Sequence, residues 1–103
     1  EYIEGIPLNL WIKKITEKDA EKLRKCVFLC LKQAFLLDKL GLDHGQLTNS
    51  VSNIIIDKKG VPKIVDFEKS SINRKVHNLN MLFSLFFREE NSISKKLKKY
   101  VLN

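Results

Sequence analysis

Residues 79–87, Leu-Asn-Met-Leu-Phe-Ser-Leu-Phe-Phe, constrain this chain more than any other stretch. Wound at 3.6 residues per turn, Leu79, Met81, Leu82, Phe83, Leu85, Phe86 and Phe87 leave almost no polar face. Surface helices do not have this pattern. A helix apolar on nearly every side is expected to be buried all round, so the rest of the 103 residues has to supply its surroundings. An apolar content of 44% makes a packed core possible and speaks against global disorder.

The elements available for that task follow from periodicity. Glu1 to Gly5 reads as a short extended segment. Pro7 suits a first helical turn, and Leu8, Leu10, Trp11, Ile12 and Ile15 support a short helix before Thr16. Thr16-Glu17-Lys18-Asp19 has the form of an N-terminal capping box with Asp in place of the usual Glu. In the helix that follows, Leu23, Val27, Leu31, Ala34 and Leu37 recur at steps of three and four, and Gly41 is a natural stop. Ile54-Ile55-Ile56-Asp57 and Val61 to Asp66, joined through Gly60, predict a β-hairpin in which Pro62 takes an edge or strand-start position. Asn78 is placed to cap the apolar helix. Ile93, Leu97, Tyr100 and Val101 form the apolar side of a last helix, with Lys95, Lys96, Lys98 and Lys99 on the other. The pattern predicts an α+β chain, mainly α, forming a single domain over residues 1–103.

Charge is uneven. The net charge is +7, with eight Lys/Arg against seven Asp/Glu in residues 1–51 and eleven against five in residues 52–103. The basic second half is compatible with a solvated surface, or with an acidic or nucleic-acid partner. Cys26 and Cys30 are the only cysteines. On a helix their Cβ atoms stand roughly 5–6 Å apart, beyond disulfide reach, which predicts two free, buried thiols and a reducing, cytoplasmic location. No signal peptide is visible, and no apolar run approaches the roughly 18–20 residues that span a membrane. A chain opening on Glu1 rather than Met is expected to be processed, or to be a piece lacking its upstream part.

Chemistry concentrates between residues 42 and 68. Asn53 opens the first strand of the hairpin and Asp66 closes the second, so a hairpin brings an amide oxygen and a carboxylate to one end, where they can share a divalent cation. Taken singly, each is also an ordinary turn residue whose side chain bonds nearby backbone. Trp11 reads as core, and His77 as a loop or capping residue.

The order His44-Gly45-Gln46-Leu47, then Asn53, then Asp66-Phe67-Glu68 resembles the catalytic loop and metal-binding residues of protein kinases. It is similar to the His-Gly-Asp-Leu of RIO-type kinases and of the small kinases of the KEOPS complex, and the whole chain looks most like the C-terminal lobe of an archaeal serine/threonine protein kinase, beginning at the hinge. That resemblance implies ATP and Mg²⁺ as cofactors. It implies metal ligation by Asn53 and Asp66, adenine contacts from the carbonyl of Glu1 and the amide of Ile3, and loop shaping by His44 and Leu47. It also implies an N-terminal lobe, or a partner protein in its place, because no Gly-rich phosphate loop and no strand with an ATP-binding Lys occurs here.

Three departures bear on activity. Gln46 stands at the base position, and an amide does not accept a proton near neutral pH. Aligned instead from Asn53, that position falls on Thr48, because the loop is longer than the kinase spacing by two residues. Asp43 is then the nearest carboxylate and His44 the nearest titratable alternative. Glu68 replaces the Gly on which an activation segment pivots. Three readings follow: a kinase-like phosphotransferase, a degenerate kinase fold serving as a scaffold or binding module, and a basic helical domain that binds RNA or DNA.

Overall fold

The structure is a computed structural model and describes residues 5–45, 53–65, 70–73 and 75–102. Its longest element, α2 (Ala20–Lys39), buries Leu23, Cys26, Val27, Cys30 and Ala34. Leu31 and Leu37, expected on the same face, are half-buried at its margins. The capping box forms before it: the Thr16 amide donates to Asp19 Oδ2 at 3.0 Å. At the far end Gly41 takes φ +75°, a value that L side chains rarely adopt. The Leu42 amide reaches the Leu37 carbonyl and the Gly41 amide the Asp38 carbonyl, both at 3.0 Å. This pairing closes the last turn and turns the chain sharply away from the helix axis.

The expected hairpin is present, as β2 (Ile54–Ile56) antiparallel to β3 (Pro62–Ile64), with Ile54 opposite Ile64 and Ile56 opposite Pro62. Asp57 organises its turn, accepting from the amides of Lys59 and Val61 at 2.9 Å through Oδ1. Pro62 starts an edge strand, where its missing N–H breaks no ladder. The sheet has a third member that periodicity did not reveal: β1 (Ile6–Pro7) pairs with Ile56 and Ile55 of β2. Two residues are too short to show alternation. Gly5 makes the approach possible, since a Cβ there would overlap the Ile56 carbonyl and stand 2.9 Å from Ile55 Cγ2. Pro7 therefore ends a strand instead of sitting inside the first helical turn, and the short helix α1 begins after it (Leu8–Trp11).

The free edge of β3 is covered by a side chain. Gln33 of α2 donates from Nε2 to the Pro62 carbonyl at 2.6 Å and accepts the Ile64 amide at Oε1 at 3.2 Å. Its carboxamide acts like a peptide group of a neighbouring strand, which satisfies the edge and fixes the sheet to the helix.

Residues 79–87 fold differently from expectation in three respects. The segment is α3 (Asn78–Phe83) followed by a wider π turn over Ser84–Arg88, closed by the Glu89 amide on the Ser84 carbonyl at 2.9 Å. It is not enclosed on all sides: Leu82, Leu85 and Phe86 are buried, but Phe83 is 42% exposed and meets the Phe87 ring at a tilt of 51°, with centroids 4.8 Å apart. Asn78 does not occupy the capping position. His77 does, and Asn78 is the first helical residue with a buried side chain.

Asn91 makes the next corner. It caps α4 (Ser92–Tyr100) by accepting the Ser94 amide at 2.8 Å, while its Nδ2 donates to the Leu85 carbonyl at 3.0 Å. Ile93 and Leu97 of α4 enter the core beside Leu8, Ile12, Leu23 and Phe86. Lys95, Lys98 and Lys99 are exposed as expected. Lys96 is not: its ammonium donates to the carbonyls of Ile12 and Ile15, both at 2.7 Å, which ties α4 to the 3₁₀ turn Ile12–Lys14 and the residue after it.

Gln33→Ala is expected to lower the unfolding free energy by about 1–3 kcal/mol, since two backbone groups of β3 lose their partners. It should also promote association through the bared edge. Urea denaturation and light scattering check this; an unchanged midpoint would show that the side chain contributes nothing to the sheet.

Candidate functional site

The Schellman turn at Gly41 aims Leu42-Asp43-His44 back across the end of the hairpin. Asp43 exchanges backbone hydrogen bonds with Ser71, each 2.9 Å long. His44 is 0% exposed, and its Nε2 lies 2.7 Å from the Val65 carbonyl. A carbonyl only accepts, so Nε2 carries the proton. The Val65 amide in turn donates to the Asn53 carbonyl at 2.8 Å. Val65 thus joins the two candidate segments, with His44 on its carbonyl and Asn53 on its amide. Asn53 is 6% exposed and stands level with the residue immediately before Asp66. Gln46, Leu47, Thr48, Asp66, Phe67, Glu68, Glu1 and Ile3 lie outside the described residues.

Beneath this corner sits a polar group whose importance the local sequence did not signal. Asn78 Oδ1 accepts the His44 amide at 2.8 Å. Asn78 Nδ2 donates to the Leu42 carbonyl at 2.7 Å and to Asp38 Oδ1 at 2.9 Å. The donor on one side and the acceptors on the other fix the orientation of the amide. Asp38 also accepts the Asn78 amide at 2.9 Å and the Leu79 amide at 3.2 Å. Its carboxylate therefore caps α3 from a different helix, with the favourable sign for a helix N-terminus.

On the outer side of the same turn, His77 Nδ1 lies 3.2 Å from Asp43 Oδ1 and 3.1 Å from the Lys75 carbonyl. The Asp43 side chain is 4% exposed and the imidazole 50%. Trp11, read from the sequence as core, is part of the buried cluster.

Cys26 and Cys30 are free, buried thiols. The hydrogen bond with Cys26, reinforced by burial, holds the Cys30 thiol well above the usual range, so the protonated form persists and thiolate chemistry is suppressed. Iodoacetamide at mildly alkaline pH is expected to leave Cys30 unmodified in the folded chain and to label it in urea, as mass spectrometry would report; rapid native labelling would contradict the burial. Among the described residues, no three His, Cys, Asp or Glu side chains group as a metal site. Among them also, no helix is long and apolar enough to cross a membrane.

Replacing Asn78 with Asp keeps the shape, removes the Nδ2 donor and sets a second carboxylate against Asp38. Asn78→Asp is expected to cost about 2–4 kcal/mol of stability, whereas Asn80→Asp on the exposed side of α3 should stay within about 0.5 kcal/mol. Thermal unfolding followed by circular dichroism distinguishes them, and equal melting points would remove Asn78 from the centre of the site.

No family model matches the chain. Over 89 residues it is 30% identical to the uncharacterized protein MJ1211 of Methanocaldococcus jannaschii, in an alignment covering 86% of this chain and 72% of that protein. The chain belongs to the same family as that protein.

Proposed function

We propose that this member of the MJ1211 family is the C-terminal lobe of a protein-kinase-like fold, and that the complete protein binds Mg·ATP and transfers a phosphoryl group to a serine or threonine hydroxyl. The observation that carries this reading is the Val65 junction. One residue receives the buried His44 ring on its carbonyl and donates its amide to Asn53. A His-Gly turn, an Asn at a strand start and the residue preceding an Asp-Phe pair are thereby tied together in the order a phosphotransfer site uses.

In this reading Asn53 and Asp66 hold Mg²⁺ from the same end of the hairpin. The ion supplies charge neutralisation to the phosphates. The chain's own part is positional: Asn78 and Asp38 hold the His44 turn, and His44 holds the strand end that leads into Asp66. Adenine contacts fall to Glu1 and Ile3, and the phosphate-binding elements to an N-terminal lobe or a partner protein. A cytoplasmic location accords with the free thiols.

Gln46 favours a second reading, in which the same fold binds nucleotide or a partner without transferring phosphate. The exposed Lys95, Lys98 and Lys99 of α4 then offer a surface for an acidic or nucleic-acid partner.

Titration calorimetry of the full-length protein with Mg·ATP, beside Asp66→Ala, tests the first reading. Binding that weakens at least about tenfold in the variant, close to 1.4 kcal/mol, is the expected result. Equal affinity of the two proteins would sink the metal assignment, and nucleotide binding without transfer would favour the scaffold.

A further inference from the structure

α2 has a second apolar side. Its core face runs through Leu23, Cys26, Cys30 and Ala34. Phe28, Leu31 and Phe35 form a separate stripe at steps of three and four. Phe28 is 63% exposed and Phe35 47%. A single exposed ring needs no explanation, but this stripe continues onto a neighbouring helix. α3 and the π turn after it run antiparallel to α2, because Asp38 caps the start of α3 and Phe87, in the π turn, lines a depression with Phe28 and Leu31. Phe87 touches Phe83, and Phe83 lines a second depression with Leu79 and Asp38. An apolar groove therefore follows the seam between the two helices.

Cations border it. Lys39 Nζ stands 5.6 Å from the centre of the Phe35 ring, and the Arg88 guanidinium 5.3 Å from that of Phe83. Lys32 follows Phe28 by four residues, as Lys39 follows Phe35, so a cation lies one helical turn beyond each exposed ring of α2. Lys32, Lys39 and Arg88 are all exposed. A cation over a ring face still has N–H donors for a carboxylate. The neighbouring acidic side chains of α2 are already engaged: Glu21 is bound to Arg24, and Asp38 to the first amides of α3. Glu89 and Glu90 line neither depression.

We propose that this groove receives an amphipathic helix of a partner protein, apolar on its inward side and acidic along its flanks. The inference does not depend on nucleotide binding. The depression at Phe28, about 200 Å³, is closed on its far side by Leu97, Val101 and Leu102, and among the described residues Arg24 is the one charged side chain that lines it. It suits a single leucine or phenylalanine anchor of the kind that dominates binding energy. From Phe28 to Asp38 the seam extends about 15 Å along α2, or close to three turns of a bound helix. Leucines at steps of three and four on such a helix meet Phe28, Phe87 and Phe83 in succession, and glutamates beside them meet Lys32, Lys39 and Arg88. Charge selects among occupants. A second copy docked on the same face sets these cations against their own counterparts. A lipid surface meets a projecting apolar face, whereas here the anchor position is a hollow.

The test uses the full-length protein and a fluorescein-labelled amphipathic peptide of about three helical turns, leucine on one side with glutamate flanking it, beside a peptide in which lysine replaces each glutamate. Fluorescence anisotropy is expected to show saturable binding of the glutamate peptide and binding at least about tenfold weaker for the lysine peptide. Phe28→Ala and Arg88→Glu should each weaken the glutamate peptide about tenfold or more. Both positions are exposed, so unchanged circular dichroism is expected and the loss reads on docking. No binding, equal affinity for the two peptides, or wild-type affinity in Phe28→Ala would overturn the proposal. Three further results would overturn it by naming another occupant. Sedimentation showing a dimer that Phe28→Ala dissolves would assign the groove to a second copy. Binding to phosphatidylserine vesicles that Phe28→Ala abolishes would assign it to a membrane. Since Cys26 and Cys30 are buried, maleimide labelling of Phe28→Cys reports on the groove itself: rapid labelling that the glutamate peptide blocks is expected, and protection without peptide in the monomer would assign the groove to a segment of the same chain.

Discussion

The carboxylate of Asp38 is the interaction on which the rest of this fold depends. It lies near the end of α2, caps the first two amides of α3 and holds the side chain of Asn78, which in turn holds the carbonyl of Leu42 and the amide of His44. The end of α2 with the turn after it and the start of α3, 34 to 41 residues apart, are thereby fixed by two side chains. Each contact of this kind contributes only about 1 kcal/mol net. Each group left unsatisfied in a buried place costs more, so the network tolerates little partial disruption.

Two further polar contacts carry the same logic outward. Gln33 ties α2 to the edge of the sheet, and His44 ties the turn after α2 to the end of β3. Helix and sheet are thus registered at both ends of the hairpin side by directional bonds. The apolar cluster of Leu8, Ile12, Leu23, Ile54, Leu82 and Phe86 supplies the greater part of the driving force. Burial alone is non-directional. The directional bonds select which loop reaches which strand end, and that selection is what a site made from loop residues needs.

What could be read in the sequence was whatever repeats over a few residues. α2 with the capping box at Thr16 ahead of it and the stop at Gly41, the hairpin, the position of Pro62 and the apolar side of α4 all belong to that class. β1 was not legible because two residues have no period and its pairing depends on Gly5 meeting a carbonyl about fifty residues away. Lys96 has the polarity of its exposed neighbours, but its ammonium turns inward to carbonyls more than eighty residues distant. Phe83 failed in the opposite sense: the composition of residues 79–87 called for enclosure, and the elements around α3 leave one flank open. Of the candidate site, the order of His44, Asn53 and Asp66 was legible. The roles of Asp38 and Asn78 were not, because their partners lie 34 to 41 residues off and nothing local distinguishes them from a surface Asp and a helix cap.

The two histidines show why such a site has to be argued from its surroundings. Both contact a backbone carbonyl through one ring nitrogen, and their sequence contexts differ little in polarity. His44 is enclosed, and its bonded Nε2 faces the strand end; its ring therefore acts as a structural strut. His77 uses Nδ1 for both of its contacts, has a buried carboxylate behind it and exposes half its surface. The same side chain is thus an enclosed strut in one place and a half-exposed partner of a buried carboxylate in the other, and the difference lies in which nitrogen is committed and what stands behind it.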